Sequence, residues 1–352
     1  MTEALIKMFE IQGEACTRLG SPFNGGLCQL AANAVADGDS LAGLFSPWAH
    51  AGQRKLFEDA VPIRFLGALH DLVLGGTVPE LAETYPRPGQ PADPERAWNA
   101  ARKRLEAYRE RLARFMAHEP QTNEVRRSAC LVGGFLSVAQ AWGLPLRTFE
   151  LGASAGLNLN WDQFRYDLGG GTWGNPASPV RIDTDWTGAL PPLGTDCTVT
   201  ARAACDRRPV RLDDPLQRRR LLAYVWPDQF ERFARIEAAI DLAIARNVMV
   251  ETADAPLWTA ANAAPREGAA TVVYHSVFWQ YMPAESQAAL QTALQVHAAA
   301  ATATAPFAWL RMEPPPGNLA LMDVRLTQWP GGQEHVLAEV HPHGATVKWL
   351  GT

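Results

Sequence analysis

The sequence predicts an α/β protein. An all-helical amino-terminal domain covers residues 1–143, and a mainly parallel sheet ending in an antiparallel hairpin covers residues 144–352. Three observations carry this prediction. Up to Trp142 the apolar residues recur at helical spacing. From Leu146 onward, short apolar runs alternate with helical stretches, the pattern of a parallel sheet covered on both faces. The last two runs are joined only by Trp329-Pro330-Gly331-Gly332, too short for the crossover that parallel strands need.

The helices follow in order. Residues 1–19 are amphipathic and stop at Gly20-Ser21-Pro22, and residues 62–74 carry a broad apolar face that stops at Gly75-Gly76. The stretch 84–94 holds four prolines and reads as a loop. Residues 94–117 are rich in Arg, Glu and Ala, with Arg102 to Glu106 and Glu110 to Arg114 as opposite charges at i,i+4. Such mixing marks a solvated helix face rather than an RNA-binding patch. Residues 122–142 put Val125, Val132, Phe135, Leu136, Ala139 and Trp142 on one face, with Thr122 as cap and Gly143 and Pro145 as stops.

Strands are expected at 146–151, 198–204, 248–251, 271–275, 307–312, 322–327 and 335–340, with helices at 214–224, 228–246 and 284–300. Between the first two strands an insert, 167–195, is rich in Gly, Pro and Trp and reads as an ordered surface excursion over one edge of the site, with a β-hairpin as one form it can take.

The 352 residues are 47% apolar and 20% charged, which excludes a disordered or collagen-like chain. Lys and Arg total 32 against 37 Asp and Glu, a net charge of -5, so phosphate neutralisation gives no reason to expect nucleic acid. No apolar window reaches membrane-spanning length, and the start lacks the pattern of a secretory signal. The five cysteines form no C-x-x-C pair, which argues against a disulfide framework or structural zinc. A cytoplasmic protein with buried, inert thiols is the expectation.

The chemistry concentrates in Glu150-Leu-Gly152-Ala-Ser154-Ala-Gly156, directly after the strand at 146–151 and before an expected helix. Glycines there let a ligand approach the backbone, and a helix start offers free N–H groups. Three readings meet at this loop. Dinucleotide binding needs G-x-G-x-x-G, which the spacing lacks. A nucleophile elbow, G-x-S-x-G, is satisfied literally by Ser154, with Asp254 and His275 following in hydrolase order. Further strands follow His275, however, where a hydrolase places its histidine near the end of the fold, and no HGGG-like segment precedes the loop. In the third reading, the acid-x-Gly-x-x-x-Gly pattern resembles the loop of class I S-adenosylmethionine-dependent methyltransferases.

That resemblance implies a Rossmann-like sheet with a terminal antiparallel hairpin, S-adenosylmethionine as cofactor and a small-molecule acceptor. In such enzymes, acids at the ends of the second and third strands bind the ribose and the adenine side. Here Asp206 closes the run Ala201–Cys205, and Asp254 follows Val248–Ala253. The run Val272–Pro283 is similar to the fourth strand and its following segment. Ser154 stands where a middle glycine is common. The cofactor-binding residues so implied are Glu150, Gly152, Ser154, Gly156, Asn158, Asp206 and Asp254. A capping segment before the first strand adds Asn123 and Glu124. A helix of ~20 residues spans ~30 Å, enough to carry residues 121–124 across the sheet to the loop. His275, near a strand's carboxyl end, is the candidate base, because imidazole titrates near neutrality. Trp279 is a candidate for stacking on a planar substrate. His341 and His343 share a strand face without an evident third ligand, so no metal is expected.

Along nearly its whole length the chain also resembles a bacterial family, domain of unknown function 2332. Residues 62–74, Gln121–Arg126, Glu150–Leu159, Trp226–Gln229 and His341–Gly344 carry that likeness. It implies no established activity. The competing expectations are a non-catalytic ligand-binding protein of the same fold and, on Ser154, a serine hydrolase.

Overall fold

In the computed structural model, which describes residues 2–315 and 321–351, helices Thr2–Arg18 and Val61–Leu74 run up to the expected glycine stops. The charged stretch 94–117 is two helices, Pro94–Arg102 and Arg109–Met116, broken where Leu105 turns into the core. The break removes the expected Arg102–Glu106 register, while Glu110 and Arg114 keep theirs inside the second helix. Arg102 instead bonds Asp39 at 2.7 Å, and Glu106 pairs with Arg109 at 2.6 Å. No helix among the described residues is long and apolar enough to cross a membrane.

The chain divides into two compact units, Met1–Thr122 with Asp213–Ala234, and Asn123–Leu212 with Arg235–Thr352. This differs from a division at residue 143 in two ways, each with a packing reason. Helix Arg127–Trp142 buries its apolar face on the sheet: Phe135 stacks on Trp161 at 4.0 Å, and Gly134 lies so close to Leu310 that any β-carbon there would collide. Residues 213–234 belong to the helical unit because Tyr224 and Trp226 complete its core. Polar ties reinforce this. Asp228 accepts from Ser21 Oγ (2.5 Å) and Phe23 N (3.0 Å), and Arg219 pairs with Asp71 at 2.7 Å.

Among the described residues the second unit is built on twelve strands: β1 Leu146–Leu151, β2 Arg165–Asp167, β3 Thr172–Gly174, β4 Arg181–Asp183, β5 Asp185–Gly188, β6 Val199–Asp206, β7 Glu251–Thr252, β8 Ala270–Ser276, β9 Phe307–Glu313, β10 Met322–Trp329, β11 Glu334–Val340 and β12 Thr346–Trp349. Nine of them form one mixed sheet in the order β5-β12-β11-β10-β9-β8-β1-β6-β7. From β7 to β9 the neighbours are parallel, and β9 through β12 form an antiparallel meander that includes the hairpin expected across Trp329–Gly332.

Several expectations are corrected. The third strand has two residues rather than a run over 248–251, because Val248 and Val250 pack on Ala153, Leu159 and Ala204 instead of continuing the ladder. The insert is not a single hairpin. Strands β2, β3 and β4 make a small separate sheet, and β5 extends the edge of the large one beside β12. Helix Arg127–Trp142 starts later than expected, so residues 121–124 lead into it outside any helix or strand.

Strands β1, β8 and β9 are buried along most of their length. Along the chain, β1, β6 and β7 add outward in one direction, and β8 and β9 then add on the other side of β1. In open α/β sheets, the carboxyl ends on either side of such a reversal are where ligands bind.

Candidate functional site

The loop after β1 turns sharply because three of its residues are left-handed: Gly152 (φ 64°), Ser154 (φ 53°) and Gly156 (φ 71°). A β-carbon on Gly152 would meet the Phe278 ring, and one on Gly156 would lie 2.8 Å from both Val248 and Val250, so glycine is required at both places. Ser154 adopts the conformation without that freedom. Its backbone is held from two sides: its N–H donates to Asp206 Oδ2 at 2.9 Å and its carbonyl accepts from Val210 N at 3.1 Å. Asp206 also accepts Arg208 N on Oδ1 at 2.8 Å. Both oxygens of this strand-end acid therefore brace backbone.

The segment after the loop is a 3-10 helix, Leu157–Gln163, interrupted at Asn160, not the expected α-helix. Its first N–H does not face outward: Leu157 N donates to Asn123 Oδ1 at 2.8 Å, and Asn158 Nδ2 donates to the Glu124 carbonyl at 3.3 Å. Asn123 and Glu124 thus lie against the loop, with the Glu124 side chain accepting Arg126 N at 3.0 Å. Two buried oxygens here, Ser154 Oγ and Asn158 Oδ1, meet no described hydrogen-bond partner.

Glu150 points to the face covered by helix Arg127–Trp142 and is buried. Tyr274 Oη lies 3.2 Å from Glu150 Oε2 and 3.3 Å from the Asn158 carbonyl. Burial pushes the Glu150 carboxyl up to about 8. The Tyr274 hydrogen bond opposes that rise, and the charge of Asp206 adds to it. Asp254 is exposed at the start of helix Ala255–Asn262 and makes no side-chain cap bond.

His275 sits on the opposite face of the sheet and is fully buried. Trp309 Nε1 donates to its Nε2 at 3.0 Å, and its Nδ1 lies 2.7 Å from Glu313 Oε1. Indole N–H is a donor only, so Nε2 is the acceptor and the ring proton belongs on Nδ1, pointing at the carboxylate. Glu313 Oε1 also accepts Phe278 N (2.9 Å) and Trp279 N (3.2 Å). Immediately before them, Val277 takes a left-handed φ of 53°, rare for a β-branched residue.

The structure therefore gathers Glu150, Gly152, Ser154, Gly156, Asn158, Asp206, Asn123 and Glu124 around one loop. Asp254 stands at the end of β7, and His275 is in a separate network with both ring nitrogens engaged. No histidine bonds Ser154, so the elbow constellation is not assembled. Sequence reasoning missed Tyr274 and Glu313. Glu313 does follow directly on the apolar run 307–312, and strand-end position was the signal that picked out Asp206. His341 and His343 have rings 5.7 Å apart, and the described residues contain no group of three His, Cys, Asp or Glu arranged to hold a metal.

Residues 6–349 match the model of a family described as an uncharacterized protein conserved in bacteria, DUF2332. The chain belongs to this family. No curated protein and no solved structure matches the DUF2332 chain.

Proposed function

We propose that this family member binds S-adenosylmethionine at the carboxyl ends of β1, β6 and β7 and transfers its methyl group to a small acceptor. One observation carries the reading: a glycine-hinged loop follows the central strand where strand order reverses, and Glu150, Asp206 and Asp254 stand at or beside the ends of three adjacent parallel strands. The chemistry of the residues fits such a ligand. Glu150, held up at about 8 by burial, is a carboxyl that a cationic amino group would convert to carboxylate. Asp254 is available to hydroxyl groups. The unpartnered Ser154 Oγ and Asn158 Oδ1 offer further polar contacts. The cofactor supplies an activated methyl group, and the chain's own task is to orient the acceptor and exclude water.

A binding protein without chemistry is favoured on one point. His275 has both ring nitrogens occupied and is no free base. An acceptor that is already nucleophilic needs none.

The Gly152→Val substitution tests the proposal. The new side chain collides with Phe278 and takes a strained φ, closing the loop to a ligand. Calorimetry should detect S-adenosylhomocysteine binding to the wild type and none to the folded variant. Unchanged binding in the variant contradicts the proposed seat.

A further inference from the structure

The face of the sheet opposite Glu150 carries a charge that the methyl-transfer reading does not use. Glu313, at the carboxyl end of β9, has a side chain only 10% exposed. His275, Phe278 and Trp279 all donate to its Oε1. Its Oε2 is buried, and no described donor reaches it. His275 is neutral by the tautomer that Trp309 imposes, so it brings no positive charge to the carboxylate.

The neighbouring charges cancel among themselves. Asp323 stands opposite Glu313 in the β9–β10 register and is paired with Arg325 at 2.8 Å. Arg325 also reaches Glu334 at 2.9 Å, and Arg311, two residues before Glu313, is paired with Glu334. Arg311 and Arg325 thus offset Asp323 and Glu334, leaving Glu313 over. The nearest cation, Arg311, feels the Glu313 charge but is bound to Glu334, and a buried carboxylate with one oxygen unsatisfied is costly unless something cationic completes it.

Two indoles stand with it. Trp279 and Trp309 have ring centroids 5.6 Å apart at 49°, and both flank His275. Both are only partly buried. Indole faces attract cations, as the Arg311 guanidinium 3.8 Å from the Trp309 centroid already illustrates. The geometry points to a seat for a small alkylammonium ion, its N–H donating to Glu313 Oε2 and its alkyl carbons lying against Trp279 and Trp309. The seat rests on β8 and β9 rather than on the methyl-transfer reading. If both hold, the amine is the acceptor.

Titration of the full chain with propylammonium chloride, and separately with 1-propanol at matched ionic strength, followed by saturation-transfer NMR, tests this without any cofactor. Failure of S-adenosylmethionine binding therefore leaves the readout untouched. The ammonium ion should bind saturably and at least roughly tenfold more tightly than the alcohol. Glu313→Gln keeps an oxygen for the three donors and removes the charge, and it should abolish that preference. Trp279→Leu should weaken ammonium binding a few-fold, and it carries the comparison if Glu313→Gln fails to fold by near-ultraviolet circular dichroism. Equal binding of ammonium and alcohol by the wild type overturns the assignment, as does wild-type ammonium binding in the folded variants.

Discussion

At the scale of single residues, Glu150 makes the sharpest prediction because its environment sets its proton. Its folded pKa of about 8 lies above the ordinary value of 4.5. Its stabilising contribution is therefore fully present below the ordinary value and is lost as pH rises through about 8. Glu150→Gln carries no such loss. Between about pH 5 and pH 9, chemical denaturation should shift in the variant's favour by a few kcal/mol relative to wild type. Parallel pH profiles for the two proteins contradict a buried, proton-holding Glu150. Ligand binding has the opposite slope. A cationic group binds the ionised form, so affinity should rise with pH until about 8, with proton release visible in calorimetry across buffers. Ser154 makes a second prediction. It holds a left-handed φ without glycine's freedom, and its hydroxyl has no described partner. Ser154→Gly should raise stability by about 1 kcal/mol, whereas Ser154→Ala, which keeps the β-carbon, should not. A fluorophosphonate should leave Ser154 unlabelled, and an adduct there by mass spectrometry would instead support the elbow.

At the scale of elements, the loop is a braced turn. Asp206 holds it from β6, and Asn123 holds it from the irregular chain before helix Arg127–Trp142. Asn123→Ala leaves the buried Leu157 N–H without its acceptor, a loss of about 1–3 kcal/mol. Amide exchange at residues 153–157 should speed up while the exchange of β8 and β9 stays slow. Unchanged exchange in the loop would show that Asn123 does not brace it. Contacts of this kind set the limit of what the sequence reveals. Strands β1, β8 and β9 were legible because they are nearly continuous apolar runs. The loop was legible because only glycines serve at 152 and 156. That Asp206 would spend both oxygens on amides was not, since it depends on the parallel register of β1 with β6. The His275–Glu313 bond joins residues 38 apart, brought together only because β8 pairs with β9. Strand β12 escaped notice because four residues in a Gly- and His-rich tail carry too little pattern, and β7 was overdrawn because its valines are wedged under the loop.

At the scale of the whole molecule, the helical unit closes on itself through Asp213–Ala234, a return that helical periodicity could not reveal. Tyr224 and Trp226 are buried in its core, and Asp228 fastens the start of helix Pro22–Ala36. A fragment ending at residue 143 lacks these residues and exposes the apolar face of helix Arg127–Trp142, so it should be unfolded by circular dichroism and amide exchange. Residues 1–122 joined by a flexible linker to 213–234 should fold. A cooperative melt of the 1–143 fragment alone contradicts this division. The sheet unit is where the functional claim stands, and its most direct test is the thermal stability of the intact wild-type protein against rising S-adenosylmethionine and S-adenosylhomocysteine. The melting temperature should climb with the logarithm of concentration once each ligand exceeds its Kd. A flat melting temperature with both ligands, up to millimolar concentration in folded protein, contradicts that claim.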